Sequence, residues 1–75
     1  MTTLTFESGS SKCYAGGTIR DAVFSIRYDK EAGQFLFVSQ NRQNGVMDIS
    51  LFIPVEEMRG ILNTLDTLMV ENGLQ

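Results

Sequence analysis

The stretch AVFSIRYDKEAGQFLFVSQNRQNGVMDISLFIP, residues 22–54, decides the fold. Phe24, Ile26 and Tyr28 alternate with Val23, Ser25 and Arg27, the period of two that marks a half-buried strand over Ala22–Tyr28. Asp29 to Gly33 is polar and ends in glycine, which predicts a turn with positive φ at Gly33. Gln34 to Gln40 is the next strand, with Phe35 and Phe37 on one face and Leu36 and Val38 on the other. Either this strand is central and covered twice, or one of the two pairs is displayed. Asn41 to Gly45 is a second glycine-closed turn, and Val46 to Ile53 is a third strand with Met47, Ile49, Leu51 and Ile53 facing one way. Three strands joined by two short loops predict an antiparallel meander.

Pro54 ends that strand and suits the first turn of a helix, where a missing N–H costs little. Glu56 and Glu57 then favour the positive end of a helix dipole. Met58, Ile61, Leu62, Leu65, Leu68 and Met69 recur at spacings of three and four, an amphipathic helix that Gly73 can close. One sheet face can absorb part of this stripe. Ile61, Leu65, Leu68 and Met69 exceed what a small sheet needs and predict a homodimer seam between antiparallel helices. Toward the other end, Leu4 and Phe6 suggest a short strand, Glu7 to Ser11 a turn, and Lys12 to Ala15 a second short strand stopped by Gly16-Gly17. The expected class is α+β: a curved meander of about four strands followed by one C-terminal helix. The parts are an N-terminal region over 1–21, the meander over 22–53 and the helix over 54–73.

Seventy-five residues make one domain whose core is marginal, so self-association is the expected reinforcement. Cys13 is the lone cysteine and there is no histidine, so neither an internal disulfide nor a zinc site can be assembled. No basic segment leads into an apolar run at the start, and no stretch approaches the ~18 apolar residues that cross a bilayer. The expectation is a cytoplasmic protein without a membrane partner or cofactor, nucleoid-associated or in an infected host cell. Net charge is −3, but Lys12, Arg20, Arg27, Lys30 and Arg42 all fall within the first 42 residues, while Asp48, Glu56, Glu57, Asp66 and Glu71 lie beyond residue 47. Phosphate binding depends on that distribution rather than on the total.

Little here points to an enzyme. Cys13 has no histidine to activate it and reads as a small buried or half-buried thiol. Glu56-Glu57 at a helix start reads as dipole compensation rather than acid–base chemistry. Gly16-Gly17 lacks the lysine and the strand–loop–helix context of a phosphate loop. What remains is basic and aromatic residues on strands. Ser25 and Arg27 lie opposite Phe24 and Ile26, Lys30 and Arg42 lie in adjoining turns, and Phe35 and Phe37 offer flat surfaces. Arginines for phosphates with aromatics for bases is how single strands are gripped without sequence reading.

The order of these features resembles the positive-cofactor-four family of single-stranded-DNA-binding transcriptional coactivators, with its relatives the Whirly and Pur-alpha proteins. The residues that carry the resemblance are Phe24-Ser25-Ile26-Arg27, the turn with Lys30 and Gly33, the strand end Gln40-Asn41-Arg42, Asp48-Ile49-Ser50-Leu51, and the helix opening Pro54-Val55-Glu56-Glu57-Met58. It spans roughly Ala22 to Leu68, over half of the chain, and a compact phage or bacterial version of the family would have about the length of this chain. The chain has no tryptophan, where the family often places a stacking aromatic after the third strand. The resemblance implies a dimer joined through its C-terminal helices, with single-stranded DNA lying across the sheets. Arg27, Lys30 and Arg42 would bind phosphates, with Lys12 and Arg20 adding to them. Transcription, replication or recombination would be the setting, with proteins of those processes as partners. The competing reading is a small dimeric protein-interaction or regulatory module whose acidic helix face meets a partner.

Overall fold

In the computed structural model, which describes residues 3–6 by their backbone and residues 10–74 in full, the elements run β1 (Thr3–Phe6), β2 (Lys12–Ala15), β3 (Thr18–Asp29), β4 (Gln34–Asn41), β5 (Met47–Pro54) and α1 (Val55–Glu71). The class is α+β, a curled antiparallel meander followed by one helix. Strand order is β1-β3-β4-β5, and β2 pairs with the first part of β3. The two short N-terminal strands are present. The turn expected over Glu7 to Ser11 lies largely outside the described residues. β3 starts four residues before the expected Ala22, because Gly16 and Gly17 hold φ of +59° and +79° and so turn β2 directly back onto it.

The meander's two turns share one construction. In the first, Asp29 Oδ1 accepts from the backbone N–H groups of Glu31 and Ala32, and the Gly33 N–H donates to the Asp29 carbonyl at 2.9 Å. In the second, Asn41 Oδ1 accepts from Gln43 and Asn44, and the Gly45 N–H donates to the Asn41 carbonyl at 2.8 Å. An Asx side chain mimics a backbone turn, and the glycine four residues on takes the left-handed conformation that closes it.

Register sorts the sheet into two faces. Phe24, Ile26 and Tyr28 stand beside Ser39, Phe37 and Phe35, which in turn stand beside Ile49, Leu51 and Ile53; this is the aromatic face. Ser25 and Arg27 stand beside Val38 and Leu36, which pair with Ser50 and Phe52; this is the arginine face. The single row expected for Met47, Ile49, Leu51 and Ile53 breaks at Asp48. Ser39 pairs with Ile49 but Gln40 pairs with Met47, so Asp48 is the extra residue of a bulge. One inserted residue reverses the alternation, and Met47 joins the arginine face instead.

The helix α1 is closed by backbone bonds at its end and joined directly to β5 at its start. Its C-terminus closes as a Schellman motif: the Gly73 N–H donates to the Val70 carbonyl and the Leu74 N–H to that of Met69, with Gly73 at φ +67°. Its start follows β5 with no intervening loop, Pro54 being both last strand residue and N-cap. Only the start of the stripe is absorbed: Met58 and Ile61 are half-buried, while Leu62, Leu65, Leu68 and Met69 stay exposed. No helix residue is buried, and what α1 touches of the sheet is almost confined to β5. The reason is the loopless junction, which leaves no residues with which to reverse the chain over its own sheet. Among the described residues the buried apolar side chains are Cys13, Ala22 and Val38, the last of them on the arginine face.

Candidate nucleic-acid interface

The arginine face is built by alternation. Because β3, β4 and β5 are in register, Arg27, Leu36 and Phe52 form one row across three strands, and Ser25, Val38 and Ser50 form the next. Adjacent strands lie about 4.8 Å apart, so Arg27 and Phe52 are separated by roughly 10 Å of sheet. Between them runs an open groove of about 530 Å³, floored by Leu36 and Val38 and edged by Gln40, Ser50 and Phe52. Phe52 is 62% exposed, a large aromatic positioned by the backbone pairing of β5 rather than by side-chain burial. Arg27 is exposed and, among the described residues, holds no ion pair or side-chain hydrogen bond. The row therefore offers one unneutralised guanidinium and one displayed ring with an apolar floor between them.

The other residues singled out from the sequence fall in different places. Lys30 is exposed in the β3–β4 turn, one strand end away from Arg27. Phe35 and Phe37 lie on the opposite face from Ser25 and Arg27. Their rings meet Tyr28 at 4.9 Å and Phe24 at 5.9 Å between centroids. A strand bound on one face therefore cannot use both sets. Lys12 is paired with Asp21 at 2.6 Å, both side chains being about half exposed. Hydrogen bonding and charge from Lys12, with a smaller contribution from Arg42, hold the Asp21 carboxyl below its ordinary range. Arg42 donates through Nη2 to the Ala22 carbonyl at 2.7 Å. Arg20 reaches Asp48 at 3.1 Å, and the Asp48 side chain is only 5% exposed. Asp48 Oδ2 is buried without a hydrogen-bond donor among the described residues. The bulge leaves Asp48 without a cross-strand partner, and its carboxylate is directed to Arg20.

Phe52 is the residue that sequence reading passed over. Its signal was present in the alternation of β5, where Phe52 opposes Leu51 and Ile53, but only the β4–β5 register places it beside Leu36 and within reach of Arg27. Ile61, Leu65, Leu68 and Met69 do lie on one side of α1; Leu65, Leu68 and Met69 are about half exposed. Among the described residues no cluster of three or more metal-ligating side chains occurs, and no helix is long and apolar enough to cross a membrane.

The fold and this face define an α+β domain that displays a mixed basic and aromatic sheet surface. No protein-family model, no curated protein and no solved structure matches the chain.

Proposed function

We propose that this protein is a homodimeric single-stranded DNA-binding protein, coactivator-like, that holds the strand on the arginine face of its sheet and acts in transcription, replication or recombination. The observation that carries this reading is the Arg27–Leu36–Phe52 row. Arg27, helped by Lys30, supplies positive charge for the phosphates, and Phe52 supplies a ring on which an unstacked base can lie. Ser25, Ser50 and Gln40 line the same groove with neutral polar side chains. The stacking role expected of Phe35 and Phe37 passes to Phe52, the displayed aromatic that shares a face with Arg27.

The test is binding of a labelled oligothymidylate at two salt concentrations, with duplex as competitor. Single strand should bind better than duplex, and affinity should fall as salt rises. The double change Arg27→Ala with Lys30→Ala should weaken all sequences alike and flatten the log–log salt slope by up to about 1.4, near 0.7 per lost contact. A double variant that binds with unchanged affinity and slope removes the sheet from the reading.

A second reading is a protein-interaction module. It is favoured by Lys12 and Arg20, whose charges are met within the chain by Asp21 and Asp48 and so are not offered outward. In that case oligonucleotide binding is absent at low salt.

A further inference from the structure

Each chain carries two apolar surfaces that it covers only in part. One is the aromatic face of the sheet, where Leu51 is 54% exposed and the rings of Phe24, Phe35 and Phe37 are only half-buried. The other is the α1 stripe, where Leu62, Leu65 and Leu68 are 44–53% exposed. A chain of 8.4 kDa folded compactly exposes about 4,600 Å², whereas this one exposes 5726 Å². Its radius of gyration is 13.9 Å, against about 11 Å for a compact domain of this length. The excess of roughly 1,100 Å² per chain corresponds to about 2,200 Å² across a two-fold pair, within the range of obligate dimers.

Beyond Met58 and Ile61, which are half-buried, the stripe is not laid over the sheet within one chain. Laying a helix back over the strand it follows takes a connection of some 2–6 residues, and here Pro54 passes directly into Val55. The Val55 N–H is also anchored to the Gly33 carbonyl at 3.0 Å, which ties the first turn of α1 to the β3–β4 turn. The helix thus leaves the sheet as an arm about 25 Å long at 1.5 Å per residue. An isolated helix of this length is marginal in water, so the arm needs a packing surface.

We infer that the occupant of the aromatic face is the α1 arm of a second copy of this chain, exchanged reciprocally. This deepens, and rests on, the homodimer in the reading above. A seam between two helices alone would cover the two stripes and leave both aromatic faces open. Exchange covers all four surfaces with one symmetric contact, and self-complementary pairing of this kind closes at two subunits. It also places the arginine faces, on the far side of each sheet, outward.

The test is an isotope-filtered NOE measurement on a dimer formed from labelled and unlabelled wild-type chains. Expected are intermolecular NOEs from the methyl groups of Leu62, Leu65 and Leu68 to the rings of Phe24, Phe37 and Tyr28. Intermolecular NOEs confined to helix against helix would overturn the exchange and leave the dimer standing. NOEs from those methyls to the Phe52 ring would overturn it by assigning the arm to the other face. A well-folded monomer at NMR concentration would overturn the exchange and the dimer together.

Discussion

Phe37 and Phe52 sit one strand apart yet face opposite ways. Phe37 packs against Phe24 on the aromatic face, whereas Phe52 is paired with Leu36 and displayed on the same face as Arg27. Two phenylalanines that look equivalent in sequence therefore have separable roles. Replacing Phe52 with alanine should weaken oligothymidylate binding by about 1–3 kcal/mol, the usual worth of one stacked base, with little change in melting temperature. Replacing Phe37 with alanine should lower stability by roughly 3 kcal/mol, toward the low end for buried aromatics because its cover is partial in one chain. Fluorescence anisotropy and thermal melts on both variants measure the two effects. The reverse pattern would exchange the functions of the two faces.

Arg20 and Asp48 make an unequal pair, since the Arg20 side chain is 41% exposed and that of Asp48 only 5%. Removing the arginine strands a buried carboxylate, which costs about 3 kcal/mol or more. Removing the aspartate charge leaves a guanidinium that water can reach. Arg20→Ala should therefore destabilise the fold more than Asp48→Asn does in urea titrations at neutral pH. Equal losses would mean that the pair is as solvated at Asp48 as at Arg20.

The Lys12–Asp21 pair predicts a direction in pH. Asp21 is held below its ordinary value of 3.8 by its hydrogen bond to Lys12, then by the charges of Lys12 and Arg42. A carboxyl depressed in the folded state contributes stability above its unfolded pKa and loses it as pH falls through the folded one. The contribution should be intact at pH 5 and disappear in the acid range below about 3.8. In Lys12→Ala the Asp21 carboxyl, followed by NMR, should titrate at higher pH than in the wild type. No movement would show that Lys12 does not hold it in solution.

Gly60 lies on the polar side of α1, and a Cβ built there meets nothing within 4 Å. Its φ is ordinary for a helix, so the glycine serves no conformational need in this chain. Gly60→Ala should raise stability by about 0.5–1 kcal/mol through a lower entropy of the unfolded state and better helix propensity. Loss of stability would reveal a close approach by another molecule on that side of the helix, where the proposed arm exchange leaves solvent.

The meander, its two Asx–glycine turns and the bounds of the helix to within two residues were all legible in the sequence, because they rest on local physics. Alternation of Phe24, Ile26 and Tyr28 reports a strand whatever lies beside it, and Gly33, Gly45 and Gly73 report positive φ at their own positions. β1 was signalled by the alternation of Leu4 and Phe6, and β2 by the Gly16-Gly17 pair that stops it. Three things were decided only by the tertiary structure. The bulge at Asp48 moved Met47 to the other face, and a bulge depends on how β5 meets β4 rather than on β5 alone. That Arg27 shares a face with Phe52 and not with Phe35 or Phe37 follows from cross-strand register, which no single strand's pattern contains. The uncovered helix stripe follows from geometry at Pro54. Periodicity gives a stripe its existence, but what covers it depends on the direction in which the chain leaves the sheet.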